Sequence, residues 1–215
     1  GQTVNAYGRD LGRGVTLAAL LYRLHAIPAL RRLAFITSHP NFFRNAFWER
    51  ARDLRTFCPF IHVPAQHGSD RVLKRMARLY TADRYRAMVA DARAALPDVA
   101  LASDWIVGFP GETEADFTAT LELAAAADLD SAYCFAFSPR VGTEAASFGD
   151  TVPEETKQSR LRVLLDAVEA NMARKLDAMV GKPVRVLLET ETDGRTQYHY
   201  RARLDAPGRP GDFVD

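Results

Sequence analysis

From residue 33 to residue 138, short apolar runs alternate with stretches of helical periodicity, and this alternation constrains the fold more than any other feature of the chain. Strand-like runs cover residues 33–37, 60–64, 99–107 and 131–138. Between them lie helical patterns at 41–56, from 70 onward, at 81–96 and at 114–127. Strands separated by helices of about 10–15 residues indicate βαβ units and a parallel sheet. The runs are apolar on both sides, as expected where helices cover one face and a barrel interior the other. A further helix over 15–27 implies a strand at or before the first residues, so Gly1 reads as a cut through a larger unit.

The pattern changes after Pro153. A helix running towards Val180 carries Leu161, Leu164, Leu165, Val168, Met172, Leu176 and Met179 as one apolar stripe, which is a packing surface. Gly181 ends it. Residues 183–189 and 198–204 then alternate like half-buried strands, with Asp193-Gly194 as a hairpin signal between them. The tail stops at the start of another strand. The expected division is an α/β unit over 1–180 and a small, incomplete β unit over 181–215.

With 47% hydrophobic residues in 215, the chain has ample material for a core. No apolar run approaches the ~20 residues that span a bilayer, and the first residues resemble no secretory signal; the expectation is a soluble, cytoplasmic, monomeric protein. Cys58 and Cys134 form no CxxC pair and read as buried small hydrophobes. They are too few for an iron–sulfur cluster, which takes roughly three or four cysteine ligands. Net charge is only +1, but its distribution is uneven. Arg71, Lys74, Arg75 and Arg78 form one basic group, and Arg185, Arg195, Arg201 and Arg203 another. Either could meet phosphates or be an ordinary solvated surface.

Each strand end carries a polar or turn-forming group: Thr37-Ser38-His39-Pro40, then His62 through Gln66 to Ser69, then Asp104 through Gly108 to Glu112, then Ser138-Pro139-Arg140. In α/β barrels chemistry collects at such ends. His39 and His62 singly read as hydrogen-bonded loop residues, Ser69 as a helix cap, and Thr113-Glu-Ala-Asp116 as a capping box. Taken together they point to one ligand pocket at one barrel face. Glycines at 108 and 111 would let backbone approach a ligand closely, and the amides of that turn and the next helix would bind its polar atoms.

GQTVNAYG (1–8), TSHP (37–40), HVPAQHGSDRVLKRM (62–76), YTADRY (80–85), DWIVGFPGETEADF (104–117) and FAFSPRVGTEAA (135–146) follow in that order. This series resembles the radical S-adenosylmethionine (SAM) methylthiotransferases, in particular the bacterial branch that modifies N6-dimethylallyladenosine in tRNA. VGKPVRVLLE and GRTQYHYRARLD resemble the RNA-binding TRAM domain of that family, a small β-barrel. The resemblance implies a partial (β/α)6 TIM-like barrel lacking its first strand, followed by a truncated TRAM domain. It implies SAM and two 4Fe-4S clusters as cofactors. It also implies a tRNA anticodon stem-loop as substrate and an electron donor such as flavodoxin or ferredoxin.

By position, the resemblance places Asn5, Ser38, Gln66, Ser69, Asp104, Val107, Gly108, Phe109 and Arg140 at the SAM site, with Val107 to Phe109 beside the adenine. It names no catalytic residue. The basic groups become RNA contacts. The family's CxxxCxxC signature and its upstream domain are not in this sequence, so the chain alone is expected to be inactive. Ala77 stands where the family usually has asparagine. Two other readings stay open: a methylthiotransferase acting on threonylcarbamoyl-adenosine or on a ribosomal protein, and a non-catalytic RNA-binding protein.

Overall fold

The computed structural model describes residues 3–12, 14–149 and 151–215. Its first part alternates helices and strands: α1 (Leu17–His25), α2 (Asn45–Arg52), β1 (Phe60–His62), α3 (Asp70–Arg75), α4 (Ala82–Ala95), β2 (Ala100–Val107), α5 (Glu114–Ala127), β3 (Ser131–Ala136), α6 (Glu144–Ser147) and α7 (Glu154–Asp177). The strands form a three-stranded sheet in the order β1-β2-β3, parallel throughout. Thr81 caps α4 through its side chain, and Thr113 and Asp116 complete the capping box of α5.

One face of the sheet is the core. Leu101, Trp105 and Val107 of β2 pack with Tyr85, Met88, Phe117, Leu123 and Leu164 from the covering helices, and Ala132 and Cys134 of β3 join them. Burying each such large apolar side chain contributes roughly 1.5–3 kcal/mol. The stripe on α7 is shorter than its periodicity suggests. Leu164 and Val168 are buried and Leu161 and Met172 pack on the core, but Leu176 is 46% exposed.

The expected strand at 33–37 does not form beyond a single bridge. Leu33 pairs in parallel with Phe57, and only Ser38 N, at the far end, bonds again to His62 O. Thr37, with φ of 66°, turns the backbone out of the extended region in between.

After α7 come β4 (Val186–Leu188), β5 (Asp193–Thr196), β6 (Arg201–Arg203) and β7 (Phe213–Val214), an antiparallel sheet in the order β6-β5-β4-β7. It is a sheet of four strands, in keeping with the small β unit read from the sequence pattern. Asp193-Gly194 is not the hairpin turn; it begins β5. A Cβ on Gly194 would lie 2.3 Å from the carbonyl oxygen of Leu187, so glycine is there to let two strands close up.

This second sheet packs against the starting ends of the parallel strands. His199 stacks on Phe60 at 4.2 Å, Tyr200 Oη donates to Asp130 Oδ1 at 2.5 Å, and Arg32 donates to the carbonyls of Arg195 and Arg185. The opposite ends, where the parallel strands finish, stay clear of it.

Candidate cofactor site

Backbone hydrogen bonds stitch the strand-end turns together. Val4 N donates to Thr37 O, Ser38 N to His62 O, Val63 N to Ala102 O, Gln66 N to Asp104 O, and Phe137 N to Val107 O. The Asn5 side chain closes the set by exchanging two hydrogen bonds with the backbone of His39, at 2.9 and 3.0 Å. Every polar turn singled out in the sequence therefore lies at the finishing end of the sheet. Gly1 and Gln2 of the first loop lie outside the described residues.

Within this frame the individual side chains have different roles. Asn5 and Ser69 are used internally: Asn5 on His39, and Ser69 Oγ on Asp116 at 2.5 Å. Val107 and Phe109 do not offer their side chains to a ligand. Val107 is wholly buried among the covering helices, and Phe109 is packed edge-on against Phe137 and Phe148. Gly108, at φ 72°, is required by a neighbouring side chain, since a Cβ there would meet Lys157 Cγ at 2.4 Å.

The amides of the turn after β2 are also taken. Phe109 N donates to Glu112 Oε2, Gly111 N to Thr151 Oγ1 and Thr113 N to Asp116 Oδ2. Three amides of the turn and the start of α5 are thus engaged by side chains of the protein itself. Glu112 is buried beside Arg160, 3.4 Å from Oε1, and His67, 3.7 Å from Oε2. Its adjacency to the chain reversal, evident in the sequence, is explained by this packing.

Three expected residues remain open to a ligand. Ser38 is buried, and among the described residues its hydroxyl makes no hydrogen bond. Gln66, held at φ 66° by its backbone pairing with β2, engages only its main chain among the described residues. Arg140 is exposed, and among the described residues only its carbonyl is bonded. Asp104 accepts from His62 Nε2 at 3.0 Å, with the two side chains 26% and 15% exposed.

Tyr133 and Phe135 were missed in the sequence. They alternate with core-facing Ala132 and Cys134, so both lie on the sheet face away from the helices and are 65% and 52% exposed. The two-residue period of SAYCFA was the available signal.

The orphaned Ser38 hydroxyl and the open face beside it fit a polar organic cofactor. A metal cluster does not fit. Cys58 is buried before β1, at the opposite end of the sheet, with its thiol pushed up by burial; Cys134 faces the core, pushed up to about 11 by burial and then by Asp104. Among the described residues no group of three His, Cys, Asp or Glu side chains is placed to hold a metal. Among the described residues no helix is long and apolar enough to cross a membrane.

The basic groups are exposed but engaged. Arg71 binds both oxygens of Asp116, and Arg75 lies over the Phe148 ring at 4.7 Å. Arg185 pairs with Asp215, Arg195 with Glu189, and both Arg201 and Arg203 with Asp193. Lys74 and Arg78 are exposed beside them.

The Radical SAM superfamily profile matches residues 7–124, which contain β1, β2 and three of the four strand-end turns. The chain belongs to the radical SAM superfamily. Its relatives include the tRNA-2-methylthio-N(6)-dimethylallyladenosine synthases of Moorella thermoacetica, 43% identical over 204 residues, and of Neisseria meningitidis, 44% identical over 191. The alignments cover 92% and 88% of this chain but 46% and 43% of those proteins, so the chain spans about half the length of the curated relatives it matches. Among solved structures, the radical SAM enzyme coproporphyrinogen III oxidase from Escherichia coli superposes with a TM-score of 0.58 over 72% of this chain and 37% of its own, at 17% identity. That likeness is one of fold, and it assigns the parallel sheet and its helices to the radical SAM architecture.

Proposed function

We propose that this chain supplies the SAM-binding and RNA-facing parts of a methylthiotransferase that acts on N6-dimethylallyladenosine beside the anticodon of a tRNA. The observation that carries the reading is the match of more than 40% identity to synthases of that name over nearly the whole chain, strand-end turns included. In this reading residues 1–180 form the partial barrel with its connecting helix, and residues 181–215 a TRAM-like unit that meets RNA, working in the cytoplasm with an external electron donor.

SAM held at the finishing ends of the strands would supply the radical that activates the base and, from a second molecule, the methyl group. The cluster that such chemistry uses finds no ligands among the described residues. This chain's own residues position. Ser38 offers a buried hydroxyl to a polar atom of the cofactor, Gln66 an amide beside it, and Arg140 an exposed cation at the rim. His62 holds one oxygen of Asp104 and leaves Oδ2 free to accept from an amino or hydroxyl group.

The test is to graft this chain in place of the aligned segment of the Moorella thermoacetica synthase and assay an anticodon stem-loop carrying N6-dimethylallyladenosine. Mass spectrometry should show gain of a methylthio group. SAM turnover with no modified RNA would contradict the reading.

A further inference from the structure

Three consecutive aromatic residues, Tyr198, His199 and Tyr200, enter the seam between the two sheets, and neither the cofactor site nor the arginine groups use them. They belong to the turn between β5 and β6, which is fastened within its own sheet. Oγ1 of the buried Thr196 accepts from the amides of Tyr198 and Tyr200 at 3.2 Å each, and Thr196 N donates to the Tyr200 carbonyl at 2.9 Å. His199 takes a φ of 63°, a left-handed conformation uncommon outside glycine. This turn presents its rings to the starting ends of the parallel strands. Tyr198 packs on Phe60, Ala100 and Ala102, His199 stacks on Phe60 with the ring planes 17° apart, and Tyr200 Oη donates to Asp130 Oδ1.

Asp130 is held firmly on its own side of the seam. Its Oδ2 accepts from Leu101 N at 2.8 Å and from Lys175 Nζ at 3.2 Å, and its amide donates to the Leu101 carbonyl at 2.8 Å. Beside the Tyr200 bond the seam is not closed by packing. A cavity of about 560 Å³ opens there, bordered by Asp98, Lys175, Lys182, Gln197 and Tyr200, whereas close-packed interiors hold few voids larger than a water molecule. At the β1 side of the seam, Arg32 donates to the carbonyls of Arg185 and Arg195, and Arg31 lies over the Phe213 ring at 4.1 Å. The second sheet is thus docked by point contacts. On the side of the cavity, Tyr200 to Asp130 is the single hydrogen bond across the seam among the described residues.

We propose that Asp130 and Tyr200 form a clasp that fixes the orientation of the second sheet on the parallel sheet, and that they act through it as positioning residues for an RNA held on one sheet and a cofactor held on the other. The clasp stands on the contacts above; its use in positioning rests on the methylthiotransferase reading and deepens it. Strand β2 joins the two ends of this arrangement. Leu101, near its start, is bonded both ways to Asp130, and the carbonyl of Val107, at its finish, accepts from Phe137 N of the last strand-end turn. Six residues of strand between them span roughly 20 Å. Over such a distance a small rotation at the seam displaces a bound base by several ångströms, and a misplacement of about 1 Å can cost about a hundredfold in rate.

Residual dipolar couplings of the 215-residue chain test the clasp. In the unaltered protein β1–β3 and β4–β7 should share one alignment tensor. Tyr200→Phe keeps the ring and removes the hydroxyl; losing a hydrogen bond to a carboxylate shifts the docking equilibrium roughly ten- to hundredfold. The two tensors should then diverge while each sheet keeps its own chemical shifts. Adding His199→Gly, which suits the left-handed backbone and deletes the stack on Phe60, should widen the divergence. One shared tensor in the double variant overturns the proposal. So does loss of the β4–β7 signals, which would assign the rings to the folding of that sheet instead of its docking.

The grafted synthase tests the positioning role separately. In an active graft, Tyr200→Phe should lower kcat on the stem-loop at least tenfold, with the stem-loop Kd and RNA-free SAM cleavage unchanged. An unchanged kcat beside diverging tensors would overturn the positioning role. An inactive graft counts against the methylthiotransferase reading, and the dipolar couplings still judge the clasp.

Discussion

Arg160 of α7 lies 3.4 Å from Oε1 of the fully buried Glu112 and donates to the Glu112 carbonyl from 48 positions further along the chain. This contact fixes the turn after β2 to the long helix that also bears on the starting ends of the strands through Asn171 and Lys175. Removing one partner of a buried ion pair leaves the other uncompensated, at about 3–5 kcal/mol. Arg160→Met should therefore lower the unfolding free energy by roughly that amount in urea titrations. A loss below about 1 kcal/mol would mean that the pair does not hold the turn.

Tyr80 ties the second turn down, its hydroxyl donating to the carbonyls of Pro64 and Ala65 just before Gln66. Burial raises its pKa from the ordinary 10.0 to about 12, with Arg78 opposing. The folded state therefore favours the protonated hydroxyl. Its stabilisation is complete below about pH 10 and is lost as pH rises towards about 12, on the order of 3 kcal/mol for two pKa units. Tyr80→Phe should flatten the fall in stability over that range, and an unchanged alkaline slope would assign the fall to other groups.

Asp193 holds Arg201 and Arg203 together, each at 3.3 Å. A phosphate that these arginines meet competes with that carboxylate for the same guanidinium groups. Asp193→Asn should tighten binding of an anticodon stem-loop several-fold and steepen the dependence of log K on log salt, because two more cations become free to release counterions. Equal affinity and slope in the variant would place the RNA elsewhere on the molecule.

Ala77 sits at φ 54°, a left-handed conformation that asparagine tolerates far better than alanine. Its amide donates to Lys74 O. Ala77→Asn should raise stability by about 0.5–1 kcal/mol without altering ligand affinity. A destabilised variant would mean that the alanine methyl is used in packing.

The alternation of strands and helices was legible because it follows from side-chain periodicity. Residues 114–127 form a helix with both capping-box partners engaged, as TEAD spelled out. The hairpin at Asp193-Gly194 misled because that glycine serves a close strand approach, a tertiary requirement that no local pattern reveals. At the site, the polar turns were legible as a set but not in their individual duties. Asn5 and Ser69 find hydrogen-bond partners distant in sequence, and Glu112 a distant ion-pair partner in Arg160, and only the folded chain shows these engagements. The ion pairs of the arginine clusters were hidden for the same reason.

Hydrogen exchange of the chain with and without millimolar SAM tests the central assignment most directly. Protection should appear together in residues 36–39, 63–69 and 137–140, while residues 196–203 in the second sheet exchange as before. Protection confined to the second sheet, or to the seam where Tyr200 meets Asp130, would contradict a cofactor site at the finishing ends of the parallel strands.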